Sequence, residues 1–307
     1  MAVLAQLRYP TTRIAKGLSA VLALALFAFV AVCSLSGYLL YQALLPSKNS
    51  PGVNLDLMMG HPQSLSFQLA DGTSREGWFF PGLRGAPAIV VCHGYLSQRA
   101  DVLTLVTALQ DHEFNVFLFD FLGHGTSPRG TTLGYRETGE LRSAVQALAA
   151  RDDVDAQHFG LWGVDMGGYA VLEVAASDTR IAAIAVDDAY ADPREMMQIQ
   201  VRQSGLDVIP LVSRFTDFGL RMANYDFRHE PPVTARLAHL KSMQKLFIVS
   251  NDQPYLANAV LNLYEIAPAP KQLQQDQVRY AYMSDDDRKT YENEVVSFFL
   301  QAIPPPR

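Results

Sequence analysis

From Gly17 to Leu45 the chain carries no charged residue. A membrane-spanning helix needs about 20 predominantly apolar residues, so this run predicts one helix long enough to cross a bilayer with some tilt. Beyond it the pattern changes. Residues 46–60 intersperse Pro, Ser, Asn and Gly and read as a linker. Leu65, Phe67 and Leu69 then alternate with polar neighbours, Asp71-Gly72 is a turn signal, and Ser74 to Phe80 returns, which predicts a hairpin. Ala88 to Cys92 is a continuous apolar run, the mark of a strand buried on both faces. Further strands are expected at 115–119, 158–162, 181–186 and 245–250, with helices at 99–112 and 135–151 among them. Residues 256–266 read as a helix, 277–283 alternate like a strand, and 288–302 form an amphipathic helix. Residues 189–240 show helical periodicity broken by Pro193, Pro210 and Pro231-Pro232. Strands alternating with helices predict an α/β fold with a mostly parallel sheet covered on both faces, spanning residues 61–307.

The flanks of the apolar run suggest a topology. Residues 1–16 form a short tail carrying Arg8, Arg13 and Lys16, and only Lys48 follows closely behind the run. The positive-inside rule keeps such a tail in the cytoplasm and places the main domain outside, with Tyr38 and Tyr41 near the outer interface. The rival expectation is a cleaved signal peptide, because small residues occur around Val32 to Ser36. Apolar sequence continues past that point through Tyr38-Leu39-Leu40-Tyr41, which favours an uncleaved signal-anchor at residues 17–45.

Composition narrows the function classes. Apolar residues make up 49% of the 307, enough for a large core. A formal net charge of −6 argues against a nucleic-acid partner, which demands a basic face. The two cysteines, Cys33 and Cys92, sit in apolar segments far apart and lack zinc spacing, so both read as small hydrophobes. No metal and no cofactor are expected. The run Asp285-Asp286-Asp287 lacks the spacing of a calcium loop and reads as the solvated start of a helix.

The chain is centred on Gly160-Leu161-Trp162-Gly163-Val164-Asp165-Met166-Gly167-Gly168. An apolar strand, a tight glycine-rich turn and a small-residue helix follow one another. Such a turn pushes its middle residue, Asp165, into an exposed position above the sheet.

Three motifs in order resemble the α/β-hydrolase family. His93-Gly94 after a buried strand resembles its oxyanion loop, with the Tyr95 amide facing the reacting oxygen. Asp120-x-x-Gly123-His124-Gly125-x-Ser127 resembles its D-x-x-G-x-G-x-S loop, and Gly163-Val164-Asp165-Met166-Gly167 its nucleophile elbow. The resemblance covers residues 64–302 and implies an α/β-hydrolase fold with a helical cap inserted at about 189–240. It places His93, Gly94, Tyr95 and Met166 around the oxyanion pocket and an acid at Asp252, with Asp187 and Asp188 as alternatives. Two departures stand out. The family's elbow residue is most often serine, and here it is Asp165. The family's histidine follows the last strand, here expected around Met283 to Arg288, and no histidine follows His239.

Asp165 therefore supports two expectations. As a nucleophile it would match the family's dehalogenases and epoxide hydrolases, in which a carboxylate attacks carbon and a histidine-activated water releases the ester. Small esters, epoxides and haloalkanes would be the substrates. As a structural group it would sit at a helix N-terminus and accept the amides that otherwise hold an oxyanion, leaving a binding or interaction site for a small molecule or protein. His229 and His239 lie in or just after the expected cap and are the remaining candidates for a borrowed base. The leading expectation is a membrane-anchored, non-catalytic member.

Overall fold

The computed structural model describes residues 12–46, 62–125, 127 and 130–306. The expected tail up to residue 11 and nearly all of the expected linker lie outside these residues.

The apolar run forms helix α1, Arg13–Leu44, 32 residues long. It starts before the uncharged stretch because Thr12 caps it, its hydroxyl accepting the Ala15 amide at 3.1 Å. It stops where Pro46 approaches, since the residue before a proline is driven out of the helical region; Leu45 has φ −125° and ψ 68°. By length and composition α1 can cross a membrane, and it is equally compatible with a signal sequence.

The rest builds one eight-stranded sheet. Its strands are β1 (Gln63–Gln68), β2 (Ser74–Phe80), β3 (Ala86–Cys92), β4 (Asn115–Phe119), β5 (Val154–Val164), β6 (Ile181–Asp187), β7 (Gln244–Ser250) and β8 (Gln272–Asp276). Their order across the sheet is β1-β2-β4-β3-β5-β6-β7-β8. β1, β2 and β4 pair antiparallel, and every pair from β4 to β8 is parallel. The helices are α2 (Leu103–Gln110), α3 (Tyr135–Ala149), α4 (Met166–Ala175), α5 (Pro193–Gln203), α6 (Pro210–Ala223), α7 (Pro254–Ile266) and α8 (Asp285–Ala302).

Alternate side chains of the buried strands point to opposite layers. Val90, Cys92, Phe117 and Leu161 pack with α3, α4 and α7. Ile89, Val91, Leu118 and Trp162 pack with α2 and α8. That is why these strands read as unbroken apolar runs. α5 and α6 lie between β6 and β7. Pro193 and Pro210 start these helices rather than break them, because the first helical position needs no amide proton.

One expected strand is corrected. Residues 277–283 do not form it; the last strand is β8, and Tyr280–Tyr282 is a single 3-10 turn. The alternation of Val278, Tyr280 and Tyr282 has another cause. Tyr280 is buried against the rings of Trp162 and Tyr291, while Tyr282 is exposed.

Candidate functional site

β5 lies mid-sheet and ends at Val164, and α4 begins at Met166. Asp165 joins them with φ 38° and ψ −101°, a left-handed conformation that costs an L residue energy and persists only where the surroundings impose it. The surroundings are tight. A Cβ on Gly163 would lie 2.6 Å from the Gly167 backbone, and one on Gly167 would lie 2.6 Å from the Cys92 and His93 carbonyls.

The Asp165 carboxylate is turned into the site. Its Oδ1 accepts the backbone amide of Tyr95 at 2.6 Å and that of Met166 as well. In this fold the oxyanion hole consists of the amide after the elbow residue and one from the loop after β3. Both are occupied by a single oxygen of Asp165. Gly94 allows this approach, since a Cβ there would stand 2.7 Å from Asp165 Oδ2. Burial pushes the Asp165 pKa up to about 7, and Asp188 pushes the same way; the two amide bonds and the Arg279 charge oppose them.

The first two motifs brace this arrangement. His93 Nε2 accepts the Phe121 amide at 3.0 Å, and Nδ1 donates to the Gly94 carbonyl at 2.9 Å, which fixes a neutral tautomer. Burial, and then the His124 ring, push the His93 pKa down to about 3. With both nitrogens engaged, His93 shapes the loop that aims the Tyr95 amide. Asp120 Oδ1 accepts the Arg99 amide at 2.8 Å, and the Gly123 amide reaches Ser127 Oγ at 3.2 Å.

Asp252 lies in the loop after β7, and its partner is not a base. Arg279 donates to it twice, from its amide at 3.1 Å and from Nε at 3.2 Å. Because β8 ends at Asp276, the loop where the family keeps its histidine is 277–284, and it contains none. Arg279 stands there instead, and a guanidinium stays protonated in proteins. The alternative acids are engaged elsewhere. Asp187 Oδ2 accepts the Tyr291 hydroxyl at 2.9 Å, and Tyr291 in turn accepts Trp162 Nε1 at 3.1 Å. Asp188 Oδ1 accepts the Ser250 amide at 3.0 Å, and burial pushes its pKa up to about 6.

The borrowed-base expectation finds no geometric support. His239 is exposed and meets the Ala176 carbonyl at 3.2 Å, at the end of α4 opposite Asp165. A ten-residue helix puts about 15 Å between them. His229 is exposed. Asp285 to Asp287 form the first turn of α8, where Ser284 caps the Asp287 amide at 3.2 Å. Among the described residues, no group of three or more His, Cys, Asp or Glu is placed to hold a metal.

Three features leave no mark in the sequence pattern. Glu137 is fully buried and accepts the Thr131 and Thr132 hydroxyls at 2.6 and 2.5 Å and the Gly134 amide at 2.9 Å, and the Thr131 hydroxyl lies 3.3 Å from Met166 Sδ. A cavity of about 680 Å³ opens beside the elbow's helix, lined by Tyr135, Tyr169, Phe227, Arg75 and Arg236 among others, and Asp165 is not in its lining. The C-terminal end of α1 closes over the oxyanion loop, with the Tyr95 hydroxyl donating to the Gln42 carbonyl at 3.2 Å and the Thr131 amide to the Leu44 carbonyl at 2.9 Å.

A parallel sheet with an elbow after β5, an oxyanion pair and an acid loop after β7 defines an α/β-hydrolase scaffold. The family model for the alpha/beta hydrolase fold matches residues 87–285, and the chain belongs to that family. It is similar to the uncharacterized protein YfhR of Escherichia coli, 28% identical over 253 residues, covering 79% of this chain and 82% of the relative. It is also similar to a polyketide transferase, GrgF, of a Penicillium species, 29% identical over 123 residues, covering 39% of this chain and 42% of that one. Among solved structures, an esterase of Pyrococcus furiosus superposes with TM-score 0.66 at 16% identity, covering 84% of this chain and 99% of that one. The Penicillium GrgF structure superposes with TM-score 0.60 at 18% identity, covering 79% and 99%. At these identities the structural likeness is one of fold.

Proposed function

We propose that this chain is a membrane-anchored, non-catalytic member of the family that keeps its pocket as a binding or interaction site. One observation carries the reading: a single oxygen of Asp165 accepts both amides that would stabilise an oxyanion. A hole filled from within leaves no donor for charge developing on a substrate. Losing even one such donor costs about 10²–10³ in rate. The Arg279–Asp252 pair adds to this, because a cation in the base position cannot take a proton. The cavity is in the size range of small-molecule sites, about 300–1,000 Å³, and its aromatic side chains Tyr135, Tyr169 and Phe227 suit a ligand with an apolar body, while Arg75 and Arg236 are paired with Glu140 and with Glu173 and Glu230 of the same lining.

The anchor reading draws on α1 itself. Ser36 and Ala43 are buried against the domain, and Ser36 Oγ donates to the Val212 carbonyl at 3.4 Å. Cleavage near Val32 to Ser36 would remove the Phe29 ring that meets Phe215 edge-on and would sever α1 at the Ser36 contact. In this reading the N-terminal tail is cytoplasmic and the folded domain lies outside.

The competing reading, a hydrolase of esters, epoxides or haloalkanes with Asp165 as nucleophile, is favoured by the elbow geometry alone, and fold does not establish chemistry. Initial rates with p-nitrophenyl esters, styrene oxide and bromoalkanes separate the two. The full chain in detergent is expected to match an Asp165→Asn variant and buffer. Turnover that Asp165→Asn abolishes would overturn the proposal.

A further inference from the structure

The outward side of α6 and its flanking turns bear large, exposed apolar groups. Val208, in the turn before it, is 79% exposed and Phe218 is 60% exposed; Leu211, Met222 and Tyr225 are about half exposed. The inward side, Val212, Thr216 and Leu220, is buried. The position of this helix relative to α1 indicates what covers the exposed side.

Crossing about 30 Å of hydrocarbon takes about 20 helical residues. Counted from the end of the charged flank at Lys16, the span reaches roughly Ser36. α6 meets α1 inside that stretch at Phe29, at its end at Ser36, and just beyond it at Leu40. The Phe215 ring meets Phe29 edge-on, with centroids 5.9 Å apart, and Ser36 bonds to the Val212 carbonyl. Gly219 faces Leu40, whose Cδ2 would lie 2.7 Å from a Cβ there, so the two helices are in close contact. Phe29 lies seven residues before Ser36, about 10 Å inside the end of the span. A span ended before Phe29 would be too short to cross.

We infer that α6 and the turn before it enter the lipid leaflet beside α1, seating Val208, Leu211, Phe218 and Met222 in hydrocarbon at the membrane surface. The inference rests on the anchor reading. The charges of α6 suit such a depth. Asp217 is paired with Arg194 at 2.7 Å and Arg221 at 3.1 Å, so its carboxylate is neutralised. Arg214 and Arg221 are exposed on long stems that reach headgroup phosphates while their aliphatic parts stay in the apolar layer. Interfacial helices of this kind bury their apolar face about 5–10 Å into the headgroup and acyl boundary. α6 and the turn before it are thereby held in lipid, while α5 and the residues before β7 stay packed on the core.

The test places single tryptophans in the full chain, reconstituted into phosphatidylcholine vesicles with or without bromine on the acyl chains. The native Trp78 and Trp162 are both buried and supply a constant baseline. Phe27→Trp reports on the span, Phe218→Trp on α6, and Leu83→Trp on the turn between β2 and β3, away from α1 and α6. The expected result is a roughly twofold loss of the added emission in brominated vesicles for Phe27→Trp and Phe218→Trp, and none for Leu83→Trp. Quenching of Phe27→Trp with Phe218→Trp as bright as Leu83→Trp overturns this inference and leaves the anchor intact. A blue-shifted but unquenched Phe218→Trp also overturns it, pointing to a second copy over the same face. If Phe27→Trp itself is unquenched, the anchor reading fails and the inference falls with it.

Discussion

A double variant, Asp165→Ser with Arg279→His, is expected to hydrolyse p-nitrophenyl acetate at least about 100-fold faster than either single variant. The scaffold holds the elbow turn, the Tyr95 and Met166 amides beside it, and the Asp252 carboxylate in the loop after β7. A serine in place of Asp165 would inherit the strained elbow, since the Gly163 and Gly167 contacts that impose it are untouched. Its shorter side chain would no longer reach into the Tyr95 and Met166 amides, so both donors become available to a substrate oxygen. Asp252 already faces residue 279 and already binds it through two nitrogens. A histidine there would donate one nitrogen to Asp252 and turn the other toward the hydroxyl. General-base assistance is worth about 10²–10⁴ in rate, and it is absent from both single variants. Asp165→Ser alone frees the hole and lacks a base; Arg279→His alone has a base and a filled hole. If the double variant is no faster than Asp165→Ser, residue 279 does not occupy the base position.

The second large effect is on stability. The apparent melting temperature is expected to fall as pH rises from about 5 to 8, and Asp165→Asn is expected to flatten that fall. Burial pushes the carboxyl groups of Asp165 and Glu140 up to about 7 and that of Asp188 up to about 6. Unfolded, such groups titrate near 4. The folded state thus holds these protons more tightly than the unfolded chain. Their contribution is complete below about pH 4 and is lost as pH rises through the folded values. Asp153 and Asp178, held below the usual range by hydrogen bonds from Arg151 and Arg180, act in the opposite sense, and their gain is complete by about pH 5. At 1.36 kcal/mol for each unit of pKa displacement, Asp165 alone accounts for up to roughly 4 kcal/mol at pH 8. Asparagine keeps an oxygen for both amides and carries no charge, so at pH 8 it should melt about 5–10 °C above wild type. A melting curve series for Asp165→Asn that runs parallel to wild type would show that Asp165 is not the group being ionised.

The parts legible in the sequence share a physical reason. β3, β4 and β5 are buried on both faces and so have to be apolar runs. The elbow needs glycine on both sides because a Cβ at Gly163 or Gly167 would lie 2.6 Å from backbone atoms. The oxyanion residues Tyr95 and Met166 follow from those two elements, and a carboxylate seated on their amides is one of the two roles that the sequence allows Asp165. The parts that are not legible depend on contacts that leave no local pattern. β8 reads Gln-Leu-Gln-Gln-Asp; it is an edge strand held by its backbone bonds to β7, and its side chains give no signal. A last strand placed at 277–283 instead sets the expected histidine loop several residues too late and hides Arg279. The Arg279–Asp252 pair joins two loops through a separation that no spacing rule anticipates. Lys245 is fully buried in β7, its Nζ donating to the Leu240 and Met243 carbonyls at 2.7 and 2.6 Å. The crossing of α1 on α6 depends on which faces meet, and an all-apolar helix does not encode that choice.

Whether Asp165 fills the oxyanion hole or is free to attack is decided most directly by the mass of the intact protein. The full chain is incubated with small esters, epoxides and haloalkanes, and its mass is read before and after. An attacking carboxylate with no base to release its ester would accumulate a covalent adduct that is lost in Asp165→Asn. A carboxylate held by the Tyr95 and Met166 amides predicts an unchanged mass for wild type across the panel. An adduct that is present on wild type and missing from Asp165→Asn would contradict the non-catalytic reading and make Asp165 a live nucleophile.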